Sequence, residues 1–319
     1  MHPAFSVIFF STLSGAGYGL LAIVAALALH GASPGRLLLV LLPLALALVS
    51  IGLLSSLAHL GKPQRAWRAV SQWRTSWLSR EGVVALLTYL PALGLGAALL
   101  PAALDGTGTA PAALGLAGVV AALLAITGAM LTVTCTAMIY ASLPPIPAWR
   151  HRLVVPGYLL FALLTGAALA AAGAAWAGAF PAVGLRILAA LVALAAAAAI
   201  VLKLRYWRAI DATPLAQSRG DALGLSTRTA SVFERPHTEA NYLTREMGYV
   251  LARRHGARLR QVALWLFGVL PLALALAALV VPAAAPFALV FAATCALPGV
   301  AVERWLFFAQ ARHLVTLYY

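Results

Sequence analysis

The chain has 319 residues, of which 63% are apolar and only 9% are charged. A soluble domain is about 25% charged, so this composition excludes a water-soluble fold and gives an all-α polytopic membrane protein. The net charge of +14 comes from 22 basic and 8 acidic residues. The basic residues are confined to the connections between apolar runs, which points to anionic lipid or a soluble partner and away from nucleic acid.

The N-terminus has no basic region ahead of its first apolar run, so it does not read as a cleaved signal. Runs of about 20 apolar residues predict eight transmembrane helices in one bundle. They cover residues 5–30, 37–58, 82–104, 112–140, 153–177, 182–202, 261–281 and 287–311. The whole chain, 1–319, reads as one membrane domain. Gly- and Ala-rich faces in spans four to six permit close helix approach. No internal repeat stands out, and Pro43, Pro91 and Pro271 mark kinks without paired unwound segments. A transporter or a purely structural anchor stays open as the non-redox alternative, with little support from inverted halves. Span one carries Ser11, Thr12, Ser14, Gly15, Gly17, Tyr18 and Gly19. Such a patch serves helix packing or ligand contact.

The second connection, HLGKPQRAWRAVSQWRTSWLSRE, runs over residues 59–81. It holds Lys62, Arg65, Arg68, Arg74 and Arg80 together with Trp67, Trp73 and Trp77. Trp beside Arg is the composition of a membrane–water interface. Pro63 suits a first helical turn. Trp67, Val70, Trp73 or Arg74, and Trp77 recur every three or four residues, which predicts a short interfacial helix after span two. His59 closes span two, and Glu81 opens span three after a Ser79 N-cap. A histidine and a carboxylate at one membrane face suit proton handling for a small lipid-soluble substrate.

Loop charge sets the orientation. The even-numbered connections share a side with both termini. The second holds five Lys/Arg, the fourth Arg150 and Arg152, and the sixth ten arginines from Arg205 to Arg260; the other side has Arg36 and Arg186. The positive-inside rule puts both termini, His59 and Glu81 on the cytoplasmic side of a bacterial inner membrane. The sixth connection, 205–260, is the one long polar segment. A helix over residues 239–255 would carry an apolar stripe of Ala240, Leu243, Met247 and Val250 or Leu251. It reads either as a surface helix or as a docking platform for a soluble subunit. Glu303 and Arg304, inside the last span, read as an ion pair locking that helix to its neighbours, with a proton path from Glu303 as the sharper alternative. Cys135 and Cys295 stand alone, and no spacing suggests a metal cluster. His2, His30, His59, His151 and His313 all lie near span ends, so no haem is expected.

Several stretches resemble a known family. They are LAHLGKPQRA (57–66), WRTSWLSRE (73–81), the N-terminal MHPAFSVIFFSTLSGAGYGL, ERPHTEANYLTREMGYVLARRH (234–255) and ERWLFFAQARHLVTLYY (303–319). Together they resemble the membrane anchor subunit of dimethyl-sulfoxide-reductase-type molybdoenzymes along the whole chain. The 73–81 and 234–255 stretches look closest to anchors of cytoplasmic sulfite-oxidising complexes. The resemblance implies a quinone site, ubiquinone or menaquinone, served by an iron–sulfur subunit that contacts a molybdopterin catalytic subunit. Molybdopterin and iron–sulfur clusters then belong to the partners alone. It ties His59 and Glu81 to quinone binding and catalysis. Arg65, Arg80, Trp77, Ser14 and Gly17 complete the candidate quinone site, and the arginines either steady the carboxylate or face lipid headgroups. Imidazole can switch from donor to acceptor near neutral pH. A buried carboxylate can relay the second proton, although a helix N-terminus favours its charged form. The implied activity is sulfite oxidation feeding the quinone pool, with sulfoxide reduction by quinol as the alternative.

Overall fold

The computed structural model describes residues 4–105, 107–178, 180–212, 218–225, 227–234 and 251–317, and of residues 59, 222 and 251–254 the backbone alone. Eight of the described helices are long and apolar enough to cross a membrane. They are α1 (Phe5–His30), α2 (Gly35–Ser55), α3 (Trp77–Ala103), α4 (Leu116–Ala141), α5 (Val154–Ala177), α6 (Ala182–Ala212), α7 (His255–Val280) and α8 (Ala285–Ala309). In hydrocarbon every backbone N–H and C=O must find a partner within its own segment, which is why the apolar runs become helices. Gly31 ends α1 at φ 74, and its N–H returns to the Ala28 carbonyl at 3.2 Å.

α1 to α4 pack as one ring of four helices and α5 to α8 as another. The rings meet along α1 and α5. At that seam a Cβ on Gly19 would lie 1.7 Å from the Ala162 carbonyl oxygen, and one on Gly166 would lie 2.1 Å from the Gly19 carbonyl carbon. The two backbones therefore touch where only glycine fits. α1 is the most enclosed helix, and it also packs on α2, α4 and α8.

Two local features differ from the expectations. α6 runs ten residues past 202, because its Lys203, Tyr206 and Trp207 are buried against neighbouring helices instead of ending the span. Of the three kink candidates only Pro271 accompanies a break in α-geometry, a π-helical turn over Trp265–Val269. Proline has no N–H for the carbonyl four residues back and crowds it, and the wider turn absorbs that mismatch.

The expected short interfacial helix is present as a 3-10 helix, Pro63–Gln72. Residues three apart eclipse in that geometry, which suits Trp67, Val70 and Trp73. Trp67 and Trp73 are exposed, and Val70 is half-buried beside Gly82. The sixth-connection helix expected over 239–255 falls mostly on residues 235–250, which lie outside the described residues.

Candidate functional site

The second connection folds back onto the start of α3. Ser76, not Ser79, caps that helix, with the Ser79 N–H donating to the Ser76 hydroxyl at 3.4 Å. The Ser79 hydroxyl is instead turned to the Ala69 carbonyl, holding the 3-10 segment down. Arg80 stacks over Trp77 at 4.3 Å, and its guanidinium donates to the Trp73 and Arg74 carbonyls at 3.0 and 2.6 Å. Arg80 and Trp77 thus close the roof of the connection. Arg65 is exposed on its outer side.

With the cap moved upstream, Glu81 lies a full turn inside α3 and is 4% exposed. Its hydrogen-bond partner is the Thr136 hydroxyl of α4. No cation stands within ion-pair distance of Glu81 among the described residues. The Thr136 oxygen also lies 3.0 Å from the Thr132 carbonyl. Thr136 has one hydrogen and two neighbouring oxygens. When that hydrogen serves the Thr132 carbonyl, the Glu81 contact requires a protonated carboxyl. When it serves Glu81, the carboxylate can be charged. Rotation of one hydroxyl therefore accompanies gain or loss of the Glu81 proton. The buried Tyr18 of α1 lies in electrostatic reach of the same carboxyl and next to Thr132.

The remaining expected site residues divide. Ser14 is buried, donates to the Phe10 carbonyl at 2.6 Å and borders a small internal void. Gly17 is a packing position: a Cβ there would come 2.7 Å from the Ala45 oxygen and Val49 of α2. The His59 backbone closes a 3-10 turn, Ser56–His59, that continues α2; its side chain lies outside the described residues. In the half of the bundle away from the connection, α2 and α3 leave an apolar groove of about 570 Å³ lined by Leu42, Leu46, Leu93 and Ala97. At its polar edge Ser50 and Tyr89 are hydrogen-bonded at 2.7 Å.

A second buried polar group sits in the other ring. Glu303 of α8 is fully enclosed and pairs with Lys203 of α6 at 2.5 Å and with Arg304 at 2.7 Å. The ion pair expected to lock the last span is therefore a triad carrying one surplus positive charge. Aromatic faces spread that charge. Lys203 lies 4.0 Å from the Tyr206 ring, and Arg304 lies 3.8 Å from the Tyr158 ring. Tyr140, Trp149, Phe307 and Phe308 pack edge-on and stacked around them. Above the triad, Tyr206 donates to the Ala148 carbonyl at 3.0 Å, and the His151 ring lies 5.5 Å from Tyr206. Burial, then the neighbouring Arg152 and Lys203 charges, push His151 below the ordinary imidazole range.

Thr136 and Thr132 are the neighbours of Glu81 that the sequence left unmarked, whereas Tyr18 belongs to the polar patch already noted in span one. Thr132 and Thr136 are spaced four apart, on one helix face, but nothing in the sequence said that this face meets Glu81.

Comparison with known proteins agrees with this architecture. Residues 1–310 match the family model for the DMSO reductase anchor subunit (DmsC). The chain is 34% identical over 329 residues to the C-subunit of the sulfite dehydrogenase of Allochromatium vinosum, an alignment covering 100% of this chain and 99% of that one. An eight-helix membrane protein that matches this family from its first helix to its last belongs to the DMSO reductase anchor subunit family.

Proposed function

We propose that this chain is the quinone-exchanging anchor of a molybdenum–iron–sulfur complex, and that the complex oxidises sulfite and passes the electrons to the quinone pool. The observation that carries the quinone reading is Glu81. It is a buried carboxyl near one membrane face, with no cation partner among the described residues and a rotatable hydroxyl as its neighbour. A structural carboxylate at such depth is normally paired with a cation. One left to a hydroxyl is suited to change its proton. The apolar groove between α2 and α3 accommodates an isoprenoid tail, and His59 and Glu81 bracket the connection. When bound, quinone supplies the two-electron acceptor. Glu81 holds a proton at its carboxyl oxygen, and His59 serves a ring oxygen of the bound molecule. Trp77 and Arg80 keep water out from above.

Sulfite as the terminal substrate rests on the full-length likeness to the sulfite dehydrogenase protein of Allochromatium vinosum. The family description supports the second reading, sulfoxide reduction by quinol, which uses the same groups in reverse. The assembled three-subunit complex should reduce a quinone when given sulfite, and should not when this anchor is omitted. Reduction of a sulfoxide with quinol, and no sulfite activity, would select the second reading.

The cytoplasmic placement of the site has its own test. A cysteine at Ser218 is expected to react with an impermeant thiol reagent only after the inner membrane is opened. Labelling from the periplasm would reverse the orientation and with it the side on which the soluble subunits dock.

A further inference from the structure

Between the two helix rings, at the depth of Glu81, lies a small void of about 10 Å³. Its lining includes Thr12 and Ser14 of α1, Thr136 of α4, Tyr158 and Thr165 of α5, and Arg304 of α8. Three polar atoms bordering it, Thr12 Oγ1, Tyr158 OH and Arg304 Nη1, are buried with no aligned hydrogen-bond partner; Tyr158 and Arg304 lie within reach of each other, but the guanidinium sits over the ring face, and Thr12 has no such neighbour among the described residues. Leaving a buried hydroxyl or guanidinium N–H unpaired is costly. A void near the size of one water with several converging polar groups is the setting in which water is retained. A second void of about 10 Å³ shares Tyr158, Phe161 and Arg304 with the first and is bordered by Lys203, Glu303 and Tyr206. Three of the acidic and hydroxyl side chains share one layer. Glu81, Thr136 and Glu303 lie within six residues of helix ends on the side of the even connections, roughly 9 Å deep at most.

We infer that these voids hold water and form a lateral proton route across the ring seam, joining Glu81 and Thr136 to the Lys203–Glu303–Arg304 triad beneath the fourth connection. The inference rests on Glu81 being the proton-carrying group of the quinone site. For every quinone reduced to quinol, two electrons arrive from the iron–sulfur subunit and two protons from water. Glu81 releases a proton toward the bound molecule and regains it through the Thr136 hydroxyl. Direct replenishment from above is obstructed, because the 3-10 segment is held over the start of α3 by the Ser79–Ala69 bond and by Arg80 on Trp77. The side route opens where Tyr206 meets Ala148 and His151, a half-buried imidazole held toward its neutral form and able to take up a proton from the surface.

The test uses the assembled complex with Thr12→Val and Tyr158→Phe combined, since both substitutions keep shape and remove one hydroxyl each. Quinone-linked turnover is expected to fall about tenfold. The quinone KM should hold, and the solvent deuterium isotope effect should rise above the parent value. A density map that resolves water is expected to place it within hydrogen-bond distance of Thr12, Tyr158 and Arg304. A dry void, or unaltered turnover and isotope effect in the double variant, overturns the route. If Glu81→Gln abolishes turnover while the double variant is normal, the route alone fails. Full turnover in Glu81→Gln removes the quinone-site reading itself.

Discussion

Replacing Glu81 by Gln in the assembled complex is expected to cut quinone-linked turnover by about 10²–10⁴-fold, the usual worth of a positioned proton donor or acceptor. Glutamine keeps the size of the side chain and can still meet the Thr136 hydroxyl, so α3 and α4 should remain packed. It cannot hold a transferable proton. His59→Ala is expected to abolish the same electron flow while the three subunits still assemble. Reduction of a soluble dye by the partner subunits serves as the control, because that electron transfer does not pass through the anchor. Unchanged quinone turnover in either variant would defeat the assignment of that residue. Loss of dye reduction as well would mean that the substitution had disturbed docking rather than chemistry.

The triad yields the second large effect, and it comes as a ranking. Removing one member of a buried ion group strands the others and costs about 3–5 kcal/mol. Lys203→Met leaves Glu303 and Arg304 as a neutral pair at 2.7 Å. Glu303→Gln leaves Lys203 and Arg304 as two enclosed cations without a counter-charge. The Glu303 variant should therefore accumulate far less folded anchor and melt at clearly lower temperature than the Lys203 variant. Thermal aggregation of the detergent-solubilised complex would measure this. The opposite order would mean that the surplus positive charge is needed, and that the aromatic faces of Tyr206 and Tyr158 do not carry it.

The fold was readable because hydrocarbon leaves the backbone few options. Length and apolarity alone placed all eight spans, and the boundary errors have physical causes. Lys203 looked like a stop because a lysine in lipid is costly, yet its partner Glu303 stands a hundred residues away. Ser79 looked like a cap because it precedes Arg80 and Glu81; Ser76, three residues earlier, performs that task and frees Ser79 to bind the connection. Glu81 was legible as a rare acid in an apolar setting. Thr136 and Thr132 were not, since threonines that bond back to their own helix are common in spans. Gly17 and Ser14 illustrate the same ambiguity inside one motif. One position is filled by the backbone of α2, and the other borders the void between the rings.

The glycine seam between α1 and α5 bears on biogenesis. Chain order puts α1 in the bilayer before α5 has been made. At about 5–20 residues per second, the intervening stretch takes roughly 6–25 s to synthesise. During that interval the bare backbone at Gly19 lacks its mate from the later half. Nascent α1 must shelter against α2, or within the insertion machinery, until the second ring arrives. Final closure of the bundle is thus a late event, governed by how soon α5 and α8 are delivered.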